Sequence, residues 1–223
     1  MRTLRCIVLI ALWGPSVHAD PELNRSAQET LPIAEFSKAD LSAWKAEYFT
    51  GETDYRLKKA ESGITVLCAD SRQSASGLVR KISVDLQKTP YLNWSWQVEA
   101  AFVEHDEKTK PGDDYPARVY VVIDGGIFFW QTKALNYVWA GRAPRGSLWI
   151  SPYISDQVRL IAVESGNTKK GLWQPEKRNV LEDLKSAFKK NITQIDAVAI
   201  MTDSDNTGNR ARACYGDIYF STQ

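Results

Sequence analysis

Four aspartates in two close pairs are the residues best suited to chemistry. Asp113 and Asp114 follow a Pro-Gly turn in KPGDDYPARVYVV, and Asp203 and Asp205 follow a long apolar run in AVAIMTDSDNTG. Neighbouring carboxylates repel one another unless a cation, an arginine or a ligand hydroxyl lies close by. The four aspartates are therefore candidate catalytic groups, and the planar guanidinium of Arg118 is their expected partner.

The aspartates permit a hydrolytic and a structural interpretation. A glycoside hydrolase needs two carboxyl groups about 5–10 Å apart across a sugar, one as acid and the other as nucleophile or base. Either residue of the first pair could serve with either residue of the second, with Glu164 and Glu176 in reserve. Alternatively, the aspartates form solvated turns. The Asn-Thr-Gly after Asp205 is typical of such a turn.

The segment DSDNTG also begins like a calcium-binding loop, with oxygen-bearing side chains at alternate positions before a glycine. Its twelfth position is Cys214, where an EF-hand requires a bidentate glutamate. Arg210 and Arg212 would also repel a cation. We therefore exclude an EF-hand. A looser calcium site that includes Asp203 and Asp205 remains open, and no other cofactor is expected.

A second group of residues combines aromatic rings with amides and charges, in LNYVWAGRAPRGSLWISPY and GLWQPEKRNVLED. Aromatic surfaces with a few well-placed polar groups are typical of small-ligand sites, and a sugar offers both an apolar face and hydroxyls. Trp139 and Trp149 could equally be core residues, which is the expectation for Trp94 and Trp96. The candidate ligand-binding residues are Arg118, Asn136, Tyr137, Trp139, Glu176 and Arg178.

Strands must position most of these residues. YLNWSWQV and ARVYVVID show the alternation of half-buried strands, and DAVAIMTD, apolar on both faces, predicts a central strand. One helix is expected near 180–190, capped by Asn179 with Glu182 three residues on. Many strands without a βαβ rhythm predict an all-β fold, an antiparallel β-sandwich of the jelly-roll type.

The first nineteen residues read as a secretory signal peptide, with two arginines, a short apolar core and a cleavage site after Ala19. The apolar core is shorter than the roughly 20 residues of a membrane span. We expect a periplasmic or secreted protein with a flexible N-terminus at 20–35, a β-sandwich domain at 36–223 and no transmembrane segment in the mature chain. With 28 basic and 27 acidic residues, the balanced charge gives no reason to expect nucleic acid as a partner.

The cysteines also bear on the compartment. Cleavage removes Cys6 and leaves Cys68 and Cys214, which predict a disulfide in an oxidising compartment, although two separate buried thiols are the alternative. His105 is the one histidine of the mature chain, which argues against zinc and a Cys-His pair. The sequence also contains no G-x-S-x-G elbow, P-loop or dinucleotide fingerprint.

Five motifs in the same order carry a resemblance to a known family: YLNWSWQV, KPGDDYPARVYVV, LNYVWA, GLWQPEKRNVLED and AVAIMTDSDNTG with YGDIYF. Over about Phe36 to Phe220 the chain resembles an uncharacterised family of exported bacterial proteins. The resemblance implies a fold similar to the galactose-binding type of jelly roll but no activity. It implies these pattern positions: Trp94, Trp96, Asp113, Asp114, Arg118, Asn136, Tyr137, Trp139, Glu176, Arg178, Asp203 and Asp205.

Three functional hypotheses follow. The first is a binding module for an envelope or extracellular glycan, the second a periplasmic glycoside hydrolase, and the third a structural β-sandwich without a ligand. Convergence of the aspartates and Arg118 beside an open cleft would favour a site. Carboxylates that are each matched by an arginine, with no cleft beside them, would favour the structural hypothesis.

Overall fold

Strands dominate the computed structural model, which describes residues 29–126, 132–154 and 156–223. Within these residues there are fourteen strands, one α-helix (α1, Val180–Phe188) and two single-turn 3-10 helices. The strands are β1 (Thr30–Ala34), β2 (Lys45–Thr50), β3 (Asp54–Lys59), β4 (Thr65–Arg72), β5 (Ala75–Asp85), β6 (Tyr91–Val98), β7 (Arg118–Ile123), β8 (Lys133–Ala140), β9 (Leu148–Ile150), β10 (Val158–Ser165), β11 (Gln174–Asn179), β12 (Gln194–Asp203), β13 (Arg210–Tyr215) and β14 (Ile218–Ser221).

The strands form two seven-stranded sheets that pack face to face. Sheet 1 has the order β1-β14-β6-β13-β4-β3, with β11 on the other side of β6. Sheet 2 has the order β2-β5-β12-β7-β8-β10-β9. All pairs are antiparallel except β8 with β10, which is parallel. The predicted all-β sandwich of the jelly-roll type with one helix near 180–190 is confirmed.

Strand β12 lies in the interior of sheet 2, as its apolar sequence predicts. It is hydrogen-bonded to β5 on one side and to β7 on the other. Ile195, Val198 and Ile200 are buried in the core. Met201 and Asp203 alternate with the core residues, so they face the opposite side of the sheet.

The first strand, β1, lies within the segment 20–35 that the sequence assigns to a flexible N-terminus. It pairs with β14, with Thr30 opposite Ser221. Ile33 is fully buried, and Pro32 is accommodated because β1 is an edge strand. The alternation of Leu31 and Ile33 is the sequence feature that accounts for this strand. The predicted signal peptide lies outside the described residues.

Large aromatic side chains fill the space between the sheets. Trp94 and Trp96 from sheet 1 meet Tyr137 and Trp139 from sheet 2, with ring centroids 5.5 Å apart for Trp94 and Tyr137 and 6.0 Å apart for Trp96 and Trp139. All four side chains are buried. Trp139 is therefore a core residue, as are both tryptophans of β6.

A smaller apolar cluster covers part of the outer face of sheet 2. Val138 points away from the core because it alternates with Tyr137 and Trp139. It packs with Tyr115, Trp149 and Leu160, together with Ala140, Ala143 and Ala162. Tyr115 belongs to residues 99–116, here called the cover segment. This segment closes one half of the outer face and leaves the other half open.

Close contacts fix the cover segment to the loop after β8. The Glu107 carboxylate accepts hydrogen bonds from the backbone N–H groups of Arg142 and Ala143, at 2.9 and 2.6 Å. Gly141 permits the approach, because a Cβ atom there would lie 2.3 Å from the carbonyl oxygen of Phe102. The cover segment is thus a rigid wall beside the open half of the sheet.

Two further predictions, the disulfide and the cap of α1, are also confirmed. Cys68 and Cys214 are disulfide-bonded between β4 and β13, so the alternative of two free thiols is excluded. The Asn179 side chain caps α1 by accepting a hydrogen bond from the Glu182 N–H at 3.2 Å. In the described part of the chain, no helix has both the length and the apolar character that crossing a bilayer requires.

Candidate ligand-binding cleft

The open half of the outer face of sheet 2 forms a cleft of about 590 Å³. Strands β7, β8 and β12 supply its floor through Tyr120, Asn136 and Met201. The walls are Asp113 from the cover segment, Val158 and Leu160 from β10, and Asp205 and Asn206 from the β12–β13 turn. Phe49, Tyr153 and Ile154 stand at the rim and are exposed.

Arg118 and Asp203 form a buried ion pair at one side of the cleft. The Arg118 Nε donates to Asp203 Oδ1 at 2.8 Å, and its Nη2 donates to Asp203 Oδ2. The same Nη2 donates to the Asp113 carbonyl at 2.6 Å, and the guanidinium lies 4.2 Å from the Tyr115 ring centroid. Asp203 Oδ1 also accepts from the Tyr115 N–H at 3.1 Å. The pair therefore joins β7, β12 and the cover segment.

Burial sets the proton affinities of this pair. It raises the pKa of Asp203 to about 7, against the opposing effect of Arg118. Burial alone would lower the pKa of Arg118, but the Asp203 carboxylate and neighbouring groups raise it well above its usual value. The guanidinium therefore stays charged, and its Nε and Nη2 donors are directed at groups of the protein.

Asp114 has a local structural role. Its two carboxylate oxygens accept hydrogen bonds from the backbone N–H groups of Asn206 and Thr207, at 3.2 and 2.6 Å. A carboxylate in this position holds the β12–β13 turn against the cover segment. This contact explains why an acidic residue follows directly after Asp113.

Asn136 and Asp113 are the unusual polar residues of the cleft. Asn136 is 1 % exposed, and neither its Oδ1 nor its Nδ2 has a hydrogen-bond partner among the described residues. Asp113 is 7 % exposed, and its Oδ1 also lacks a partner there. A buried polar atom without a partner costs about 1–3 kcal/mol. Burial raises the pKa of Asp113, although Arg118 acts in the opposite direction.

Asp114, Asp203 and Asp205 bring carboxylate oxygens within 4.8 Å of one another. Calcium takes six to eight oxygen ligands. Here Asp203 is bound by Arg118, and Asp114 is bound by two backbone N–H groups. Asp205 is the one carboxylate of the three without a hydrogen bond among the described residues, so the donor set fits a calcium ion poorly.

The remaining predicted residues lie away from the cleft. Tyr137 and Trp139 point into the core, on the opposite face of β8 from Asn136. Arg178 donates to both oxygens of Asp183 in the first turn of α1, at 2.9 and 2.6 Å, and Tyr137 Oη donates to Asp183 at 3.0 Å. Tyr137, Trp139 and Arg178 therefore do not line the cleft with the aspartates, and their contacts stabilise the core and the start of α1.

Glu176 belongs to a second cluster, at the opposite end of β10 from the cleft. Its Oε1 accepts from Trp96 Nε1 at 3.2 Å, and Arg145 lies 3.5 Å from its Oε2. Arg145 also contacts Glu164 at 3.4 Å, and Lys169 contacts Glu164 at 2.8 Å. Burial and the neighbouring Glu164 raise the pKa of Glu176 to about 7. This cluster ties the loops after β8 and β10 to β11.

Comparison with known proteins gives a family and a fold. A family model described as "Protein of unknown function (DUF3047)" matches residues 42–219. The chain belongs to this family. No curated protein matches the chain. The family assignment confirms the resemblance drawn from the five motifs and adds no activity to it.

Solved structures with a similar arrangement of strands include the family 11 carbohydrate-binding module from Clostridium thermocellum in complex with a β-1,3-1,4-mixed-linked tetrasaccharide. It shows 9 % identity and a TM-score of 0.47, over 87 % of this chain and 96 % of that one. The enzymatically active domain of tailspike protein 4 from bacteriophage CBA120 shows 7 % identity and a TM-score of 0.45, over 86 % and 21 % of the two chains. Both likenesses concern the fold alone.

Sequence reasoning on this member of the family missed several residues of the cleft. Tyr120 shares a face with Arg118 in ARVYVVID, so alternation could have placed it in the floor. Met201 and Asp203 share a face of β12 for the same reason. Phe49 lies on the edge strand β2, which has no recognisable motif, and its position at the rim follows only from the pairing of β2 with β5.

Proposed function

We propose that the protein is an exported carbohydrate-binding protein whose ligand lies in the cleft on the outer face of sheet 2. The observation that carries this proposal is a set of buried polar atoms without partners, the Asn136 amide and Asp113 Oδ1, in a cleft rimmed by exposed aromatic rings. Phe49 is 71 % exposed and Tyr153 is 50 % exposed. Such a combination matches a sugar, which offers apolar faces to rings and hydroxyls to amides and carboxylates.

The rim is organised for contact with a ring-shaped ligand. Tyr153 Oη accepts a hydrogen bond from Asn206 Nδ2 at 2.8 Å and donates to the Lys110 carbonyl at 3.3 Å. Lys110 Nζ lies 5.3 Å from the centroid of the Tyr153 ring. These contacts orient the ring before a ligand arrives, which reduces the entropy that binding would lose.

Asn136 and Asp113 are the polar anchors in this proposal. Their unpartnered atoms are closed off from water, so the proposed binding requires side chains in the floor to rotate before a sugar hydroxyl can reach them. An amide can donate to one hydroxyl and accept from the next, which suits vicinal hydroxyls. Hydrogen bonds formed there would offset the cost of leaving these groups unpaired in the free protein.

The compartment in this proposal is outside the cytoplasm. The Cys68–Cys214 disulfide supports it, because disulfides persist in oxidising compartments. The predicted signal peptide supplies the route. An exported, disulfide-bonded sandwich would meet envelope or extracellular glycans directly.

A binding assay with the Asn136→Leu variant tests the proposal. Calorimetric titration of the parent against a panel of neutral and envelope polysaccharides should reveal at least one ligand. Asn136→Leu should weaken that binding by at least tenfold and leave the unfolding temperature unchanged or higher, since it removes an unpaired buried amide. Gln97→Leu on the outer face of sheet 1 is the matched control and should bind like the parent.

A second variant examines the rim. Tyr153→Ala should weaken binding, whereas Tyr219→Ala, which removes a part-exposed tyrosine from sheet 1, should not. Absence of any ligand in the panel, or equal affinity of the parent and both cleft variants, would contradict the proposal and favour a structural role for the sandwich.

Hydrolysis is a second candidate function, and it rests on two carboxyl groups of the same cleft. Burial raises the pKa of Asp113, as a general acid requires, and Asp205 is without a hydrogen bond among the described residues. Products of the panel incubations should therefore be analysed for cleavage. Cleavage by the parent that is lost in both Asp113→Asn and Asp205→Asn would assign the protein to the hydrolases.

A further inference from the structure

The charge balance of the cleft restricts the kind of sugar that it can accept. Asp113, Asp203 and Asp205 line the cleft, and Asp114 lies behind them. Arg118 is the one basic residue among the described residues that line it. The lining is therefore acidic, and the balance of charge depends on how much of Arg118 a ligand can use.

Arg118 has little to offer a ligand. Its Nε and Nη2 donors are bound to Asp203 and to the Asp113 carbonyl, and its side chain is 7 % exposed. The guanidinium also lies against the Tyr115 ring. A carboxylate or sulfate on a ligand can therefore reach only Nη1, and a bidentate contact with the guanidinium would displace Asp203 and leave a buried carboxylate without its partner.

The unused hydrogen-bonding capacity of the cleft consists mainly of acceptors. Asp113 Oδ1 and the oxygens of Asp205 can only accept hydrogen bonds while these groups are ionised. Asn136 offers one acceptor oxygen, Oδ1, and one NH2 group, Nδ2, that donates. These groups call for ligand O–H or N–H donors. An ammonium group satisfies them best, because it adds charge attraction to the hydrogen bond.

We propose that the cleft selects amine-bearing saccharides first, neutral saccharides second, and excludes saccharides that carry carboxylate or sulfate groups. The proposal rests on the proposed glycan-binding function and specifies its ligand class. Asn136, buried and unpartnered, is the observation beyond the acidic groups that points to a ligand here. The rejection of anionic ligands comes from like charges in the lining, since the ammonium of Lys110 lies over the Tyr153 ring at the rim and not inside the cleft. Such repulsion is a means of specificity distinct from attraction.

The test uses three hexamers on one β-1,4-linked glucose skeleton: cellohexaose, the fully deacetylated chitosan hexamer, and cellohexaose oxidised to carboxylates at C6. At pH 6, where the glucosamine amines are largely protonated, we expect the chitosan hexamer to bind at least fivefold more tightly than cellohexaose in 50 mM salt. The oxidised hexamer should show no measurable binding. Raising the salt to 500 mM should bring the chitosan affinity close to that of cellohexaose, because screening weakens charge attraction.

Two variants identify the groups responsible. Asp205→Asn should remove most of the preference for the chitosan hexamer, measured as the ratio of its affinity to that of cellohexaose. Asp54→Asn removes the same charge from an exposed position on sheet 1, and its preference should equal that of the parent. A preference that is equal in both variants would overturn the assignment of this selectivity to the cleft.

A second matched pair of probes tests the same charge selectivity on a different sugar backbone. Methyl-esterified galacturonan should bind more tightly than its de-esterified form, whose carboxylates are ionised. Binding of either anionic polymer as tightly as its neutral counterpart overturns the charge selectivity and leaves the glycan-binding proposal intact. Failure of all five probes, together with failure of the polysaccharide panel, overturns both.

Discussion

At the scale of single residues, the structure shows why two aspartate pairs occur in this sequence. Asp203 balances the only guanidinium of the cleft lining described here, and Asp114 holds the β12–β13 turn. Asp113 and Asp205 keep unused oxygens. One member of each pair therefore stabilises the fold, and the other is the one that the proposed function assigns to a ligand.

Removal of Arg118 should destabilise the fold strongly. Arg118→Met leaves the Asp203 carboxylate buried without its partner, which typically costs about 3–5 kcal/mol. Urea unfolding at pH 8 would measure this loss. The double variant Arg118→Met with Asp203→Asn should recover at least half of it, because a neutral amide can still accept from the Tyr115 N–H. Equal losses in the single and double variants would show that the two side chains are not coupled.

Glu176 should make stability depend on pH. Its folded-state pKa of about 7 lies above the ordinary value of 4.5, so the folded state binds a proton that the unfolded state has already released. This contribution is fully present below about pH 4.5 and is lost as the pH rises through 7. Between pH 5 and 8, the unfolding temperature of the parent should therefore fall relative to that of Glu176→Gln.

A rise in pKa from 4.5 to about 7 corresponds to roughly 3 kcal/mol at full development. Between pH 5 and 8 the unfolding temperature of the parent should therefore fall by roughly 5–10 °C more than that of Glu176→Gln, at about 2–4 °C per kcal/mol in a domain of this size. The buried Asp203 acts in the same direction in both proteins, so the difference isolates Glu176. Glu99→Gln, at an exposed position, is the control and should follow the parent. Parallel curves for the parent and Glu176→Gln would contradict the pKa assignment.

At the scale of elements, the cover segment determines how much of sheet 2 remains open. Its contacts with the loop after β8 depend on Gly141, where backbone approaches backbone. Val138, Trp149 and Leu160 would otherwise present an apolar surface to water. The cover segment therefore both completes the apolar cluster and forms the wall that carries Asp113.

Gly141→Ala should move this wall. The added Cβ would meet the Phe102 carbonyl oxygen at 2.3 Å, so the cover segment must shift. Overpacking of this kind costs about 1–3 kcal/mol. We expect a lower unfolding temperature and weaker glycan binding together, because Asp113 moves with the wall. Thermal unfolding and calorimetric titration would measure the two effects. Unchanged affinity would show that Asp113 is not placed by this contact.

The elements also show what could be predicted from the sequence. The central strand β12, the cap of α1 and the Cys68–Cys214 bond follow from patterns within one segment or from a count of cysteines. The ion pair of Arg178 with Asp183 could not be predicted from such a pattern, although the two residues are only five positions apart. It depends on the turn into α1, which brings the two side chains together. The place of Tyr137 and Trp139 depended on which face of β8 meets the core, and alternation alone does not decide that.

At the scale of the whole molecule, the disulfide joins positions separated by 146 residues. A crosslink that closes so long a loop stabilises by about 5 kcal/mol in the chain-entropy model. The variant Cys68→Ser with Cys214→Ser should therefore lose about 3–5 kcal/mol of unfolding free energy in urea. Parent protein unfolded with and without a reductant is the control, and equal midpoints under the two conditions would contradict the prediction.

The neighbouring positions of Thr30 and Ser221 have a practical consequence for every measurement above. Both ends of the described chain leave from one margin of sheet 1, on the far side of the molecule from Asn136. A tag, tether or biosensor chip coupled at the C-terminal end would thus keep the cleft turned toward the solution. Immobilised protein can therefore be used for the ligand screens without masking the surface under test.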